Sequence, residues 1–373
     1  MEEMVEKRRW RQGLLPLHLF FMAMAIIFIV IGAIVQHWNF NIGILVTEFG
    51  MLVLPASLFM LVKKNNIKKQ FRFNAPKVSD LWKMVLAGIF FVPFIGLLNS
   101  MINIWLVYGL NIQPPQIPTE PGLLGPLITF MIAAVTPGFC EEFFFRGLLL
   151  TEYEKKMGYF QAALISALLF GMFHYNLMNF FGPFALGLVF AWVMQVTDSI
   201  WTAMLGHMIN NSFAVVMLYL TAGADQTQNM KAVEQLGTLW PLMAVGTILF
   251  LAAIALPCAY VSTLFLRSIR KQHLKTGDQL SMSNRNFEVI TAGRVDIVLK
   301  EIVLDYAFSE EIETTYKRLY KNKNVRLVNK HWFSRELTFK IRLKEWWPVL
   351  ICAIMYIGVN VLNVMSMMAE TVK

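Results

Sequence analysis

Long apolar runs, separated by short polar or charged stretches, dominate this chain. A helix needs about 20 mainly apolar residues to cross the hydrocarbon core of a bilayer. Seven runs meet that length and two are shorter, so the pattern predicts nine membrane helices. They lie at about 14–35, 42–62 and 83–105, from 123 onward, and at about 159–173, 180–196, 200–220, 239–266 and 346–368.

The stretch between the eighth and ninth runs reads as a soluble, basic insert. Residues 286–304 and 336–344 alternate like strands, and Ser309 with the two acids after it favours a helix that ends near Asn322. We therefore expect a membrane core over 1–269, a small cytoplasmic α+β insert over 270–345, and a C-terminal transmembrane helix over 346–373. The predicted fold class is an all-α polytopic membrane protein that carries this insert.

Composition and charge agree with a membrane location. Hydrophobic residues make up 57% of the chain, and the mean hydropathy is +0.53. The net charge of +9 comes from Lys and Arg in loops such as 63–72, which by the positive-inside rule face the cytoplasm. The lipid bilayer is therefore an expected partner and nucleic acid is not, and the N-terminus is expected inside. No cleavable leader or targeting signal is recognised, which favours a bacterial plasma membrane, with the endoplasmic reticulum as the alternative.

Three charged residues interrupt the fourth apolar run, where an unpaired charge would cost about 2.5–3.5 kcal/mol. Glu142 and Arg146 are four residues apart and share one face of a helix, so we expect an ion pair between them. Glu141 is rotated about 100° from Glu142 and shares that partner poorly. A partly dehydrated carboxylate is a stronger base near neutral pH. Glu141 is therefore the candidate catalytic group, and Pro137 with Gly138 predicts a kink or break beside it.

Two later helices carry further polar groups. His174 follows Phe170 by four residues, and Asn211 follows His207 by four, so each pair shares a helix face. Such groups suit hydrolysis of an acyl bond: Glu141 can take a proton from water, His174 can hold that water, and Asn211 can donate to an oxyanion. His207 can orient the water or share the oxyanion role. The competing interpretation of any one of them is a hydrogen bond between helices.

The three motifs resemble the CPBP family of intramembrane glutamate proteases, which includes the CAAX-prenyl endopeptidases and the Abi proteins. Glu141-Glu142-x3-Arg146, Phe170-x3-His174 and His207-x3-Asn211 occur in that order within about 75 residues, inside 123–213. The resemblance implies a bundle of about eight helices with a cavity open to the cytoplasm. It also implies that Glu141 activates water with His174, that His207 and Asn211 support the oxyanion, and that Glu142, Arg146 and Phe170 are structural or auxiliary.

Several function classes follow from these patterns. The leading hypothesis is an endopeptidase that cuts a membrane-associated or prenylated protein or peptide without a cofactor. The alternative is a non-catalytic membrane partner, such as an immunity protein, a scaffold or a chaperone of a secretion complex. A zinc site built from Glu and two His is disfavoured because no His-Glu-x-x-His helix occurs, and a transporter because no repeated halves are recognised. Glu48, an acid within the second run, is expected to line a cavity or bond another helix.

Overall fold

The structure is a computed structural model that describes residues 13–63, 66–110, 118–221, 237–273, 279–283, 295–298, 301–304, 325–328 and 343–371. Eight helices in these ranges are long and apolar enough to cross a membrane, and a ninth has only 15 residues. The helices are α1 Leu15–Trp38, α2 Phe40–Val62, α3 Val78–Ile104, α4 Gly125–Glu154, α5 Tyr159–Phe173, α6 Phe181–Thr197, α7 Ile200–Thr221, α8 Trp240–Gln272 and α9 Leu343–Thr371. All nine predicted helices are present. The membrane-spanning part of the chain is all-α, as expected for a polytopic membrane protein of this fold class.

The fourth helix is continuous through the position where a break was expected. A π-helical stretch, Met131–Val135, precedes the α-helical segment Thr136–Glu142, and a second one, Phe143–Leu150, follows it. Pro137 lies at the start of the α-helical segment, where the change of hydrogen-bond register accommodates a residue without a backbone N–H. The helix therefore changes from π-helical to α-helical next to Pro137 and does not end there.

Aromatic side chains form the centre of the bundle. Phe145 packs edge-on against Phe170 and Phe173, with ring centroids 5.0 and 5.4 Å apart. Phe21 of α1 reaches Phe173 as well, at 5.9 Å. The core thus lies where α4 meets α1 and α5, beside the charged residues of α4.

Two glycines allow the central helices to approach closely. A Cβ atom on Gly138 of α4 would stand 2.5 Å from Met208 Cγ of α7, and one on Gly187 of α6 would stand 2.9 Å from Ala167 Cα of α5. Real Cβ atoms do not tolerate such distances, so only glycine fits at these crossings. The contact at Gly138 places the acids of α4 directly against α7.

Ion pairs connect the end of α4 to the segment between α2 and α3. Glu152 lies 3.1 Å from Lys63 Nζ, and Glu154 pairs with Arg72. Gln70 of the short helix Ile67–Gln70 also donates to Glu152, at 3.1 Å. The basic loop 63–72 and the charged end of α4 therefore lie at the same end of the bundle.

Four short strands form one antiparallel sheet within the predicted insert. They are β1 Gln279–Ser283, β2 Val295–Val298, β3 Glu301–Leu304 and β4 Val325–Val328, in the order β2-β3-β1-β4. Within the strand-like range 286–304 the described residues form two strands, β2 and β3, which pair with each other in a register that joins Val298 to Glu301. A uniform alternation cannot reveal such a reversal.

Other predicted elements of the insert are tested only in part. The helix expected over 309–322 and most of the strand expected over 336–344 lie outside the described residues. Leu343 and Lys344 were expected to end that strand but instead begin α9. The reason is a tertiary contact in the first turn of α9, where the Glu345 carboxylate accepts the backbone N–H of Leu14 at 3.2 Å.

Candidate active site

The ion pair expected from the spacing of α4 is present. Arg146 Nη1 lies 3.0 Å from Glu142 Oε1, and both side chains are completely buried. The Arg146 guanidinium also lies over the ring of Phe170, 4.4 Å from its centroid, and 5.6 Å from that of Phe190. Aromatic faces stabilise a cation that water cannot reach. Gly187 leaves room for this cation, since a Cβ atom there would stand 3.1 Å from Arg146 Nη2.

His207 of α7 lies between the two adjacent acids. Its Nδ1 is 2.8 Å from Glu142 Oε1, and its Nε2 is 3.6 Å from Glu141 Oε2. Because the ion-paired carboxylate of Glu142 can only accept, Nδ1 carries the hydrogen and donates it. Nε2 then faces Glu141 at a distance too long for a direct hydrogen bond. The bond to Glu142 therefore fixes the orientation of the His207 ring, so that its Nε2 faces Glu141.

Glu141 differs from its neighbour in its access to solvent. Its side chain is 16% exposed, whereas that of Glu142 is not exposed at all. Each acid has one buried oxygen without a hydrogen-bond partner among the described residues, Glu141 Oε2 and Glu142 Oε2, so exposure is what distinguishes them. Of the two acids, Glu141 is thus the one whose oxygen is available to a reacting molecule.

The ring of Phe170 brings His174 to this group. It lies 5.1 Å from the His174 ring and 5.7 Å from the His207 ring, edge-on to both. His174 is the residue after the end of α5, and its Nδ1 donates to the carbonyl of Phe170 at 3.0 Å. The imidazoles of His174 and His207, which come from α5 and α7, therefore both contact the ring of Phe170.

Asn211 connects α7 to the first π-helical stretch of α4. Its Nδ2 donates to the carbonyl of Ala133 at 3.2 Å, and its Oδ1 accepts from Asn210 at 3.2 Å. The bond to Ala133 is the interhelical bond considered as the competing interpretation, whereas Asn210 lies in α7 itself. A side-chain amide has two N–H groups, so the bond to Ala133 leaves one of them for another acceptor.

Glu48 is a further acid near the site that the motifs do not include. It lies in the π-helical stretch Val46–Val53 of α2, which contacts the segment Thr136–Glu142 of α4, and it is 5% exposed. Its Oε2 has no hydrogen-bond partner among the residues with described positions. In the sequence, an acidic residue within an apolar run was the feature that singled out Glu48.

In the described part of the chain, no group of three or more His, Cys, Asp or Glu side chains is arranged to hold a metal ion.

The spans and this buried cluster define a polytopic membrane protein with a carboxylate and imidazole site inside the helix bundle. Residues 123–213 match the family of type II CAAX prenyl endopeptidase Rce1-like proteins. The chain is also 29% identical over 142 residues to "Putative membrane peptidase YdiL" of Bacillus subtilis strain 168. That match spans 38% of this chain and 57% of the relative, a little over half its length. These matches confirm the resemblance of residues 123–213 to the CPBP/CAAX protease family that the motifs indicated.

Proposed function

We propose that this protein is an intramembrane endopeptidase in which Glu141 activates a water molecule. The observation that carries the proposal is the unequal exposure of the two acids: the Glu142 side chain is fully buried between Arg146 and His207, whereas that of Glu141 is 16% exposed. A general base must reach the proton that it removes. The family match and the name of the bacterial relative support a peptidase.

The proposed reaction uses each group for one task. Glu141 removes a proton from water while the water oxygen attacks the carbonyl carbon of the scissile peptide bond, and His174 holds the water through its free Nε2. The remaining N–H of Asn211 donates to the oxyanion of the tetrahedral intermediate, and His207 shares this role in its doubly protonated form, in which Nε2 also carries a hydrogen. The proton on Glu141 then passes to the departing amine as the C–N bond breaks. Glu142, Arg146 and Phe170 keep the imidazoles in place.

The proposed substrate is a membrane-associated or prenylated protein or peptide, since the site lies within a bundle of membrane helices. We propose a bacterial plasma membrane with the N-terminus in the cytoplasm. The bacterial relative and the positive loop 63–72, which lies at the same end as the charged end of α4, support this setting.

The test compares purified wild type with Glu141→Gln in lipid nanodiscs on a panel of prenylated and unmodified peptides. Glu141→Gln should lower kcat by about 10³-fold, because a positioned base contributes about 10²–10⁴-fold. Asp198→Asn is the matched control: it also exchanges an acid for its amide, but at a half-exposed position outside the cluster. Equal cleavage by the wild type and Glu141→Gln would refute the role of Glu141.

The non-catalytic alternative has its own supporting observation. Both His207 and Asn211 make contacts between helices, so a scaffold could retain them for stability alone. Expression of Glu141→Gln in a deletion strain separates the two functions, since a scaffold needs no general base. Full restoration of the phenotype by this variant would favour the scaffold.

A further inference from the structure

The turn that begins at His174 is short and strained. It joins α5 to the 3-10 turn Leu177–Asn179, and Tyr175 within it has a φ of +47°. A bulky residue rarely adopts this left-handed conformation unless the surroundings impose it. Since His174 is the first residue of the turn, whatever imposes the conformation also determines where its imidazole lies.

Asn360 of α9 is bonded directly to this turn. Its Oδ1 accepts the backbone N–H of Leu177 at 2.5 Å, and its Nδ2 donates to the carbonyl of Tyr356 at 2.8 Å. The second bond fixes the orientation of the amide, so that its oxygen faces the turn. Asn360 is only 7% exposed, and water therefore has little access to replace it.

The aromatic residue one turn before Asn360 covers the same loop. The ring of Tyr356 lies 6.5 Å from that of Tyr175 and 5.7 Å from that of Phe180. Tyr175 in turn packs against Phe173, with centroids 6.0 Å apart. One face of α9 thus contacts the strained residue and the chain that follows it.

We propose that Asn360 is a positioning residue that acts on the reaction through the turn and so holds His174 in place. This inference rests on the proposed function, in which His174 holds the attacking water. It gives a task to α9, which lies outside the segment 123–213 that matches the family. Asn360, the residue that supports the site, would thus come from the C-terminal helix α9, which follows the insert.

The attachment of α9 to the bundle does not depend on Asn360 alone. At its first turn the Glu345 carboxylate accepts Leu14 N–H, and the Glu345 carbonyl bonds His18 Nδ1 at 2.6 Å. The ring of Trp346 also packs on His18, with centroids 4.5 Å apart. A variant at Asn360 should therefore fold with α9 in place, and its effect can be assigned to the turn.

The experiment uses the full chain in nanodiscs with the wild type, Asn360→Ala, Asn360→Asp and Asn363→Ala. Asn360→Asp retains an acceptor for Leu177 N–H, and Asn363→Ala removes an exposed asparagine from the same helix. Hydrogen exchange of the segment around Leu177 reports the turn directly, and peptide cleavage gives kcat and KM. Asn360→Ala should raise the exchange rate about tenfold, as expected for the loss of one buried hydrogen bond.

The same variant should lower kcat about tenfold and leave KM within about twofold, because positioning acts on the chemical step. Asn360→Asp keeps the acceptor for Leu177 N–H but sets a second oxygen against the Tyr356 carbonyl, so both measurements should fall between those of Asn360→Ala and the wild type, and Asn363→Ala should match the wild type. The proposal would be overturned if Asn360→Ala left both the exchange rate and kcat unchanged. It would also be overturned if the loss of activity were explained entirely by a smaller amount of folded protein. If the wild type cleaves no peptide but the exchange difference persists, the proposed function fails while the hold of Asn360 on the turn is supported.

Discussion

Helices α4 and α8 are both apolar enough to cross a membrane, yet their surroundings differ. In α4, 44% of an apolar stretch of 18 residues is buried inside the protein, whereas in α8 the corresponding share is 11%. The first contains Glu141, Glu142 and Arg146, while the second has no charged residue from Trp240 to Leu266. Charges within the bilayer are tolerated where other protein groups surround and pair them. The comparison shows that a central helix can hold charged residues that a more exposed apolar helix lacks.

The largest effect should come from removing the cation of the central pair. Arg146→Met leaves Glu142 buried without its partner at 3.0 Å and should lower the free energy of unfolding by about 3–5 kcal/mol. Thermal unfolding in detergent can be followed with a thiol-reactive dye in a Cys258→Ser background, because Cys258 is partly exposed whereas Cys140 and Cys352 are buried in the folded protein. The double variant Glu142→Gln/Arg146→Met should recover part of the loss. Wild-type stability of the single variant would show that the pair is dispensable.

A smaller effect should follow when the same substitution is made in a central and in a peripheral helix. Gly187→Ala places a Cβ atom against Ala167 and Arg146 and should cost about 1–3 kcal/mol of stability. Gly246→Ala in α8 meets nothing within 4 Å and should be neutral or stabilising by up to about 1 kcal/mol. The same dye assay measures both. Equal changes at the two positions would contradict the difference in packing between the two helices.

The smallest effect concerns Glu48, a buried acid beside the site. Glu48→Leu replaces a carboxyl whose Oε2 lacks a partner among the described residues, and it should raise the free energy of unfolding by about 1 kcal/mol. Glu152→Leu is the matched control and should be destabilising, because Glu152 contacts Lys63 and Gln70. A loss of stability in Glu48→Leu would mean that this carboxyl makes a stabilising contact.

Local spacing predicted the parts of the site that lie on one helix. The Glu142–Arg146 pair and the shared face of Phe170 and His174 depend on residues four apart, whose neighbourhood the helix itself creates. The contact of His207 with Glu142 joins residues 65 apart, and that of Leu177 with Asn360 joins residues 183 apart. Nothing in the local pattern indicates such partners. The motifs predicted that His207 would approach the acids but not that it would lie between them.

The sequence by itself determined the membrane class, the number of helices and the residues that meet within α4, because hydropathy and helical periodicity are local properties. The spacing also indicated that Glu142, and not Glu141, pairs with Arg146. Tertiary structure alone decided how α7, which α4 approaches at Gly138, meets the two acids. That approach brings His207 Nδ1 to 2.8 Å from Glu142, while the Glu141 side chain stays 16% exposed.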